Sequence, residues 1–246
     1  MPQDETLSFD EFWMPFTDNR RYKSHPRLLT AAKDMHYVSA DGQPVLDATS
    51  GLWCVNAGHA RRPIVEAIRN QAEALDYAPT FQLGHPLVFQ LAQRLKDFFP
   101  GDIDHCFFAG SGSEAVDSAL KIAIAYQRAR GFTDRTRFVG RERGYHGVGF
   151  GGISVGGLPK NREGFPTLPG VDHLPHTHNI EKMAFSKGQP EWGVELVDEL
   201  ETIIALRGAE TIAAVIVEPM SGSSGVLVPP QGYLQRLRAI LSLIHI

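Results

Sequence analysis

Between His105 and Gly131 the chain passes from an apolar run, His105-Cys106-Phe107-Phe108-Ala109, through Gly110-Ser111-Gly112-Ser113-Glu114-Ala115, into a segment that repeats Val116, Leu120, Ala123 and Ile124 at helical spacing. No other stretch restricts the fold as much. The run suits a buried strand. Ser111 and Glu114 stand at capping-box separation, which starts the helix there, and Gly131 stops it. A strand that enters a helix through small residues makes an anion site. The first helical N–H groups have no internal partner, the positive end of the dipole faces the same way, and glycine lets a phosphate approach the backbone. The plain alternative is a well-capped helix with no ligand, of which any α/β protein has several.

The flanking segments extend an α/β pattern. Met35-His36-Tyr37-Val38 and Pro44-Val45-Leu46 flank Asp41-Gly42, a hairpin signal. Pro63 opens a helix with Ile64, Ala67, Ile68, Gln71 and Leu75 on one face, and another is expected from Pro86 to Phe99 before Pro100-Gly101. Arg137-Phe138-Val139-Gly140 reads as a strand. The glycine density from Gly144 to Gly157 is expected to exclude a regular element and to wrap backbone close to a ligand or a subunit. Residues 159 to 193 read as an extended loop. Helical spacing resumes at Val194, Val197, Leu200, Ile203 and Ile204. Ile212 to Val217 then forms a buried-strand candidate that stops at Glu218-Pro219, and a last helix begins near Tyr233. Alternating elements of this kind predict a largely parallel sheet with helices on both faces.

Of the 246 residues 43% are hydrophobic and 21% charged, as in ordinary globular chains. A net charge of −4 gives no basic field for nucleic acid. No apolar stretch is long enough for a bilayer, and Asp4, Glu5, Asp10 and Glu11 argue against a leader peptide. Cys54 and Cys106 read as reduced core residues, so a cytoplasmic protein is expected. Phe9, Phe12, Trp13 and Phe16 crowd the start and should be covered, by the chain's own core or by another subunit.

Two cofactor readings fit the 110–115 corner. It matches a dinucleotide fingerprint, although the next strand ends in Arg141 and Glu142 and blurs the expected ribose-binding acid. It equally suits a cofactor with one phosphate, such as pyridoxal phosphate, for which Tyr145 could be the flat residue against the ring. His173, His176 and His178 lie close together, but Pro175 breaks any helix that would align them, and no metal site is expected.

Five motifs in register resemble one family: Trp13-Met14-Pro15-Phe16-Thr17; Gly51-Leu52-Trp53-Cys54-Val55-Asn56-Ala57-Gly58-His59; Ser111-Gly112-Ser113-Glu114; Gly144-Tyr145-His146-Gly147; and Val217-Glu218-Pro219 followed by Gly225-Val226-Leu227-Val228-Pro229-Pro230. Their order and spacing are similar to class III pyridoxal-phosphate aminotransferases, in the ω-amino acid–pyruvate (β-alanine–pyruvate) branch, over nearly the whole chain to about Ile240. Asp172-His173-Leu174-Pro175-His176 resembles the same branch.

The resemblance implies a fold-type-I PLP-transferase, α/β, with a mostly parallel sheet flanked by helices and an N-terminal segment of a small domain. Residues 1–58 would be that segment and a dimer arm, and 59–240 the first part of the large cofactor-binding domain. It implies a homodimer or dimer of dimers that exchanges an amino group between an amine donor and a keto acid such as pyruvate, with pyridoxal 5′-phosphate as cofactor and neither nucleic acid nor membrane as partner. Ser111, Gly112 and Ser113 would hold the phosphate, Tyr145 would stack on the ring, and Glu218 would be a polar group of the pocket. Trp53 would line the substrate site, and Phe16 would reach the neighbouring subunit's site.

One departure stands out. The Asp-Glu-Val strand and the later Schiff-base lysine of the family are not in this sequence, and Lys23, Lys33, Lys96, Lys121, Lys160, Lys182 and Lys187 have no family-like catalytic context. Residues 241–246, Leu-Ser-Leu-Ile-His-Ile, look like a foreign tail. A truncated fragment, inactive alone, is therefore expected. The alternatives are an NAD(P)-binding oxidoreductase domain and a non-catalytic cofactor-binding or dimerisation fragment.

Overall fold

The computed structural model describes residues 7–246 and divides into two units, residues 1–98 and 99–246. In the first, Asp18 caps α1 (Asn19–Ser24) by accepting the Arg21 N–H. Strands β1 (Leu29–Lys33), β2 (His36–Ser39) and β3 (Pro44–Leu46) then form an antiparallel sheet in sequence order. The expected hairpin is present, with Tyr37 opposite Val45 and Gly42 at φ +79° in the turn. Strand β1 carries little sequence signal, because Leu29 is its one large apolar residue.

The single turn α2 (Ser50–Trp53) is left-handed: φ is +50° at Ser50, +58° at Gly51, +56° at Leu52 and +68° at Trp53. Helices α3 (Arg62–Ala74) and α4 (Pro86–Leu95) each carry a proline in the first turn, and a 3-10 turn over Lys96–Phe98 ends the unit. The apolar stripe expected on α3 is present but unburied. Asp47 is the one buried side chain among the described residues of this unit.

The second unit starts with a correction. Residues 105–109 form no strand, and Phe107 and Phe108 are exposed. A strand exists by pairing, and no described segment pairs with this one. Helix α5 (Gly112–Ala129) follows, ending before Gly131 at φ +90°. Strand β4 (Arg137–Arg141) leads to α6 (Phe150–Val155), α7 (Pro159–Arg162), β5 (Val171–Leu174) and α8 (Ile180–Met183). Then come α9 (Glu199–Arg207), β6 (Ile212–Val215) and α10 (Tyr233–Leu243).

The sheet is parallel in the order β5-β4-β6, with β4 central. Side chains alternate across it, as a period of two requires. Phe138 and Ala213 join Leu120 of α5 and Val155 of α6 on one face. Val139 and Ile212 join Leu200 and Ile203 of α9 and Tyr233, Leu237, Ile240 and Leu241 of α10 on the other. Each Leu- or Ile-sized side chain buried here contributes about 1.5–3 kcal/mol. Ile244 and Ile246 pack against the second face, while Arg135 donates to the carbonyls of Ile244 at 2.8 Å and His245 at 3.1 Å.

Three further expectations are corrected. The glycine-rich stretch holds a helix, α6, and residues 159–193 hold two helical turns and β5. Glycines in and beneath α6 serve close approach: a Cβ at Gly140 of β4 would strike the Val155 carbonyl, and one at Gly152 of α6 the His146 carbonyl. Strand β5 is four residues long, and Asp172 and His173 within it hide its apolar character. Cys54 is exposed and Cys106 half-buried, so neither is a core residue.

Candidate functional site

The corner at the start of α5 is open. Ser111 is the N-cap, its Oγ accepting the Glu114 N–H at 3.1 Å. Glu114 Oε2 reaches back to the Gly110 N–H at 2.8 Å, one residue earlier than a standard capping box. The Gly112 and Ser113 N–H groups stand at the first two helical positions, where no intrahelical acceptor exists. Ser111, Gly112 and Glu114 are exposed, and a Cβ at Gly112 would meet nothing within 4 Å. The site can therefore accept an anion on donors that the cap does not use.

The segment that carries Tyr145 is tied to this corner. Ser113 Oγ accepts the Val148 N–H at 3.0 Å, and a Cβ at Gly147, where φ is +99°, would lie 2.6 Å from the same oxygen. Tyr145 is two residues away, at most about 7 Å of extended chain. Its N–H donates to Glu218 Oε1 at 2.8 Å, and Glu218 Oε2 accepts the Gly222 N–H at 3.0 Å. Both oxygens of that carboxylate thus hold backbone, at the end of the run that contains β6. Parallel sheets present ligand groups at this edge.

Arg141 is 1% exposed; its Nη2 donates to the Glu218 carbonyl at 2.7 Å and to Ser221 Oγ at 2.8 Å. Its guanidinium lies 5.7 Å from the centre of the Tyr233 ring. His146 is buried, and burial pushes its pKa below the ordinary value of 6.5, with Glu218 opposing and Arg141 and His173 reinforcing the shift. Asp117, one turn after Ser113, accepts the Gly152 N–H at 2.9 Å. Arg141, His146, Asp117 and Ser221 all escape a sequence reading. For Asp117 there was a signal, its spacing of four from Ser113 on a helix.

The five residues expected at the cofactor lie in the second unit, where Ser111, Gly112 and Ser113 form the corner and Tyr145 and Glu218 are hydrogen-bonded to each other. Trp53 and Phe16 belong to the first unit, and both are exposed, at 59% and 82%. Trp53 ends the left-handed turn. At the base of its loop, Asp47 and His59 pair at 2.8 Å, and Asp47 Oδ1 accepts the Thr49 N–H at 3.2 Å. The backbones of His59 and Asp34 exchange two hydrogen bonds, at 2.7 and 3.0 Å, and the Tyr37 ring lies 4.4 Å from that of His59. The Gly51 N–H, outweighing burial with help from His59 and Thr49, holds the Asp47 pKa down to about 2.

The three clustered histidines have structural partners. His173 Nε2 lies 3.0 Å from the Gly156 carbonyl, and His176 Nδ1 accepts the His178 N–H at 3.2 Å. Among the described residues no group of three or more His, Cys, Asp or Glu could hold a metal ion. No helix among them is long and apolar enough to cross a membrane.

Residues 17–242 match the family described as Aminotransferase class-III. The chain is 62% identical over 241 residues to an omega-aminotransferase of Caulobacter vibrioides, covering 98% of this chain and 55% of that protein. It is 50% identical to a beta-alanine–pyruvate aminotransferase of Pseudomonas aeruginosa, covering 97% and 53%. The omega transaminase of Pseudomonas jessenii, solved in complex with PMP, superposes with a TM-score of 0.89 at 30% identity, over 97% of this chain and 53% of that one. The (S)-enantioselective omega-transaminase of Thermomicrobium roseum gives 0.87 at 38% identity, over 95% and 52%. The chain therefore spans about half the length of the curated relatives it matches. A match over most of the chain leaves no place for the dinucleotide reading: this chain belongs to the class-III aminotransferase family.

Proposed function

We propose that this chain is the cofactor-cradling part of a pyridoxal 5′-phosphate-dependent aminotransferase that moves an amino group between an ω-amino acid or amine, such as β-alanine, and pyruvate. The observation that carries the reading is the Ser113–Val148 hydrogen bond, which fastens the Tyr145 segment to an open anion corner. The name of the beta-alanine–pyruvate aminotransferase of Pseudomonas aeruginosa supports the donor and acceptor.

The N–H groups of Gly112 and Ser113 and the hydroxyls of Ser111 and Ser113 would bind the phosphate. A hydroxyl that already accepts from Val148 keeps its proton for an anion. Tyr145 would lie against the ring, and Glu218 would fix the height of Tyr145 by holding its N–H. When bound, the cofactor supplies an electron sink for amino-group exchange. Trp53 would line the substrate site, and Phe16 would serve the neighbouring site of a homodimer. Residues 59–240 would then be the first part of the large domain and 1–58 a small-domain segment and arm.

We infer also that the chain alone does not turn over. Among the described residues no lysine ammonium is hydrogen-bonded to Ser111, Ser113, Tyr145 or Glu218. The lysine that would hold the cofactor and move the proton is assigned to the rest of the whole protein.

The test is a titration of the chain with pyridoxamine phosphate, which needs no lysine, followed by borohydride treatment of the chain loaded with pyridoxal phosphate. Binding is expected, with weaker binding in Ser113→Ala, and no stoichiometric lysine adduct. Absence of binding at millimolar ligand would overturn the cradle. A stoichiometric adduct with transamination of β-alanine and pyruvate would overturn the inactivity.

A further inference from the structure

Ser113 and Asp117 stand four residues apart on α5 and share one face of it. Val148 and Gly152 also stand four residues apart, on the segment that runs from Tyr145 into α6. Ser113 takes the Val148 N–H at 3.0 Å and Asp117 Oδ1 takes the Gly152 N–H at 2.9 Å. Helix α5 is thus joined by two rungs to this segment, one just before α6 at Val148 and one in its first turn at Gly152. The sequence makes room for the second: a Cβ at Gly149 would strike the Asp117 carboxylate, and one at Gly151 would lie 2.5 Å from Oδ1. Gly149 and Gly151 border the carboxylate, and neither has a positive φ. They are required by contact, not by backbone geometry.

We propose that Asp117 is a positioning residue for the cofactor ring: it holds the Tyr145 segment at a fixed distance from the phosphate corner. The proposal rests on the reading of that corner as the cradle. Ser113 alone is a single point of attachment, about which the segment could pivot, and its hydroxyl would serve the anion as well. Asp117 carries no such second duty. Its charge is one turn from the corner and would repel a phosphate, so binding the anion does not explain its presence. Its acceptor oxygen, aimed at Gly152, does.

The experiment measures the affinity of the chain for pyridoxamine phosphate and for inorganic phosphate, with amide exchange at Val148 and Gly152. In Asp117→Ala, affinity for pyridoxamine phosphate is expected to fall about tenfold, inorganic phosphate is expected to bind as before, and exchange at Gly152 rises. Asp117→Asn keeps an acceptor and should restore both readouts. Gly149→Ala, whose backbone tolerates a side chain at φ −69°, pushes the same carboxylate away and should reproduce the selective loss even where Asp117→Ala does not fold. Equal losses for both ligands, unchanged ring affinity in Asp117→Ala or Gly149→Ala, or an Asn variant as weak as Ala would each overturn the proposal. Failure of the unsubstituted chain to bind pyridoxamine phosphate would instead overturn the cradle itself.

Discussion

Glu218 shows how a carboxylate can shape a site while both its oxygens are occupied by backbone. Glu218→Ala would leave the Tyr145 and Gly222 N–H groups without acceptors in a half-buried place. Each such orphan costs about 1–3 kcal/mol, so chemical denaturation should show a loss of that order, together with weaker binding of pyridoxamine phosphate. Asp47 makes a second prediction. Its pKa in the fold is about 2 against an ordinary 3.8. The unfolded chain therefore binds the proton first, and the stabilisation is complete above the ordinary value and is lost as pH falls toward 2. Asp47→Asn should flatten that part of the acid-unfolding profile, and an unchanged profile would refute the role. Ser111 and Glu114 could be read from sequence because their partners lie within four residues. Arg141 could not be read, because its partner lies 77 residues away, and for Asp117 the spacing from Ser113 gave its helix face but not its partner, 35 residues on.

Helix α6 was hidden by the residues that make it possible. Glycine is a poor helix former, and Gly151 and Gly152 oppose the helix by propensity. Tertiary contact decides otherwise, because only residues without Cβ allow this segment to lie against α5 and β4. Gly140→Ala would drive a methyl into the Val155 carbonyl, and overpacking of that kind costs about 1–3 kcal/mol or more. Leu200, fully buried between α9 and the sheet, offers the opposite test: Leu200→Ala should cost about 2–5 kcal/mol. Urea titration measures both. Strand β6 was legible as a continuous apolar run, and β4 by its short Phe138-Val139-Gly140 centre. Strand β5 was not, since Asp172 faces Arg137 and Arg207 at 3.0 and 2.9 Å and so looks like a loop residue. The run at 105–109 failed in the reverse sense: its composition suits a strand, but pairing is not a local property.

Taken entire, the chain is uneven. Residues 99–246 hold the whole buried apolar core among the described residues, whereas residues 7–98 bury Asp47 alone. In the second unit burial, the first cause in each case, lowers the pKa values of His146, His173 and His176 from 6.5. Unfolding frees these groups to take protons, so stability is full above that value and declines below it. The melting temperature of the second unit should therefore fall as pH drops from neutral to about 5, near the low side of the histidine range; a flat profile would contradict this. The left-handed turn of the first unit leads elsewhere. Three non-glycine residues wound against their own chirality store on the order of 3–6 kcal/mol, restrained by one aspartate, one histidine and the two bonds to Asp34. An indole mounted on so tense a coil can be re-aimed without being replaced: loosening the clamp at Asp47 would let the coil relax, and the same tryptophan would then present a different edge to whatever it meets.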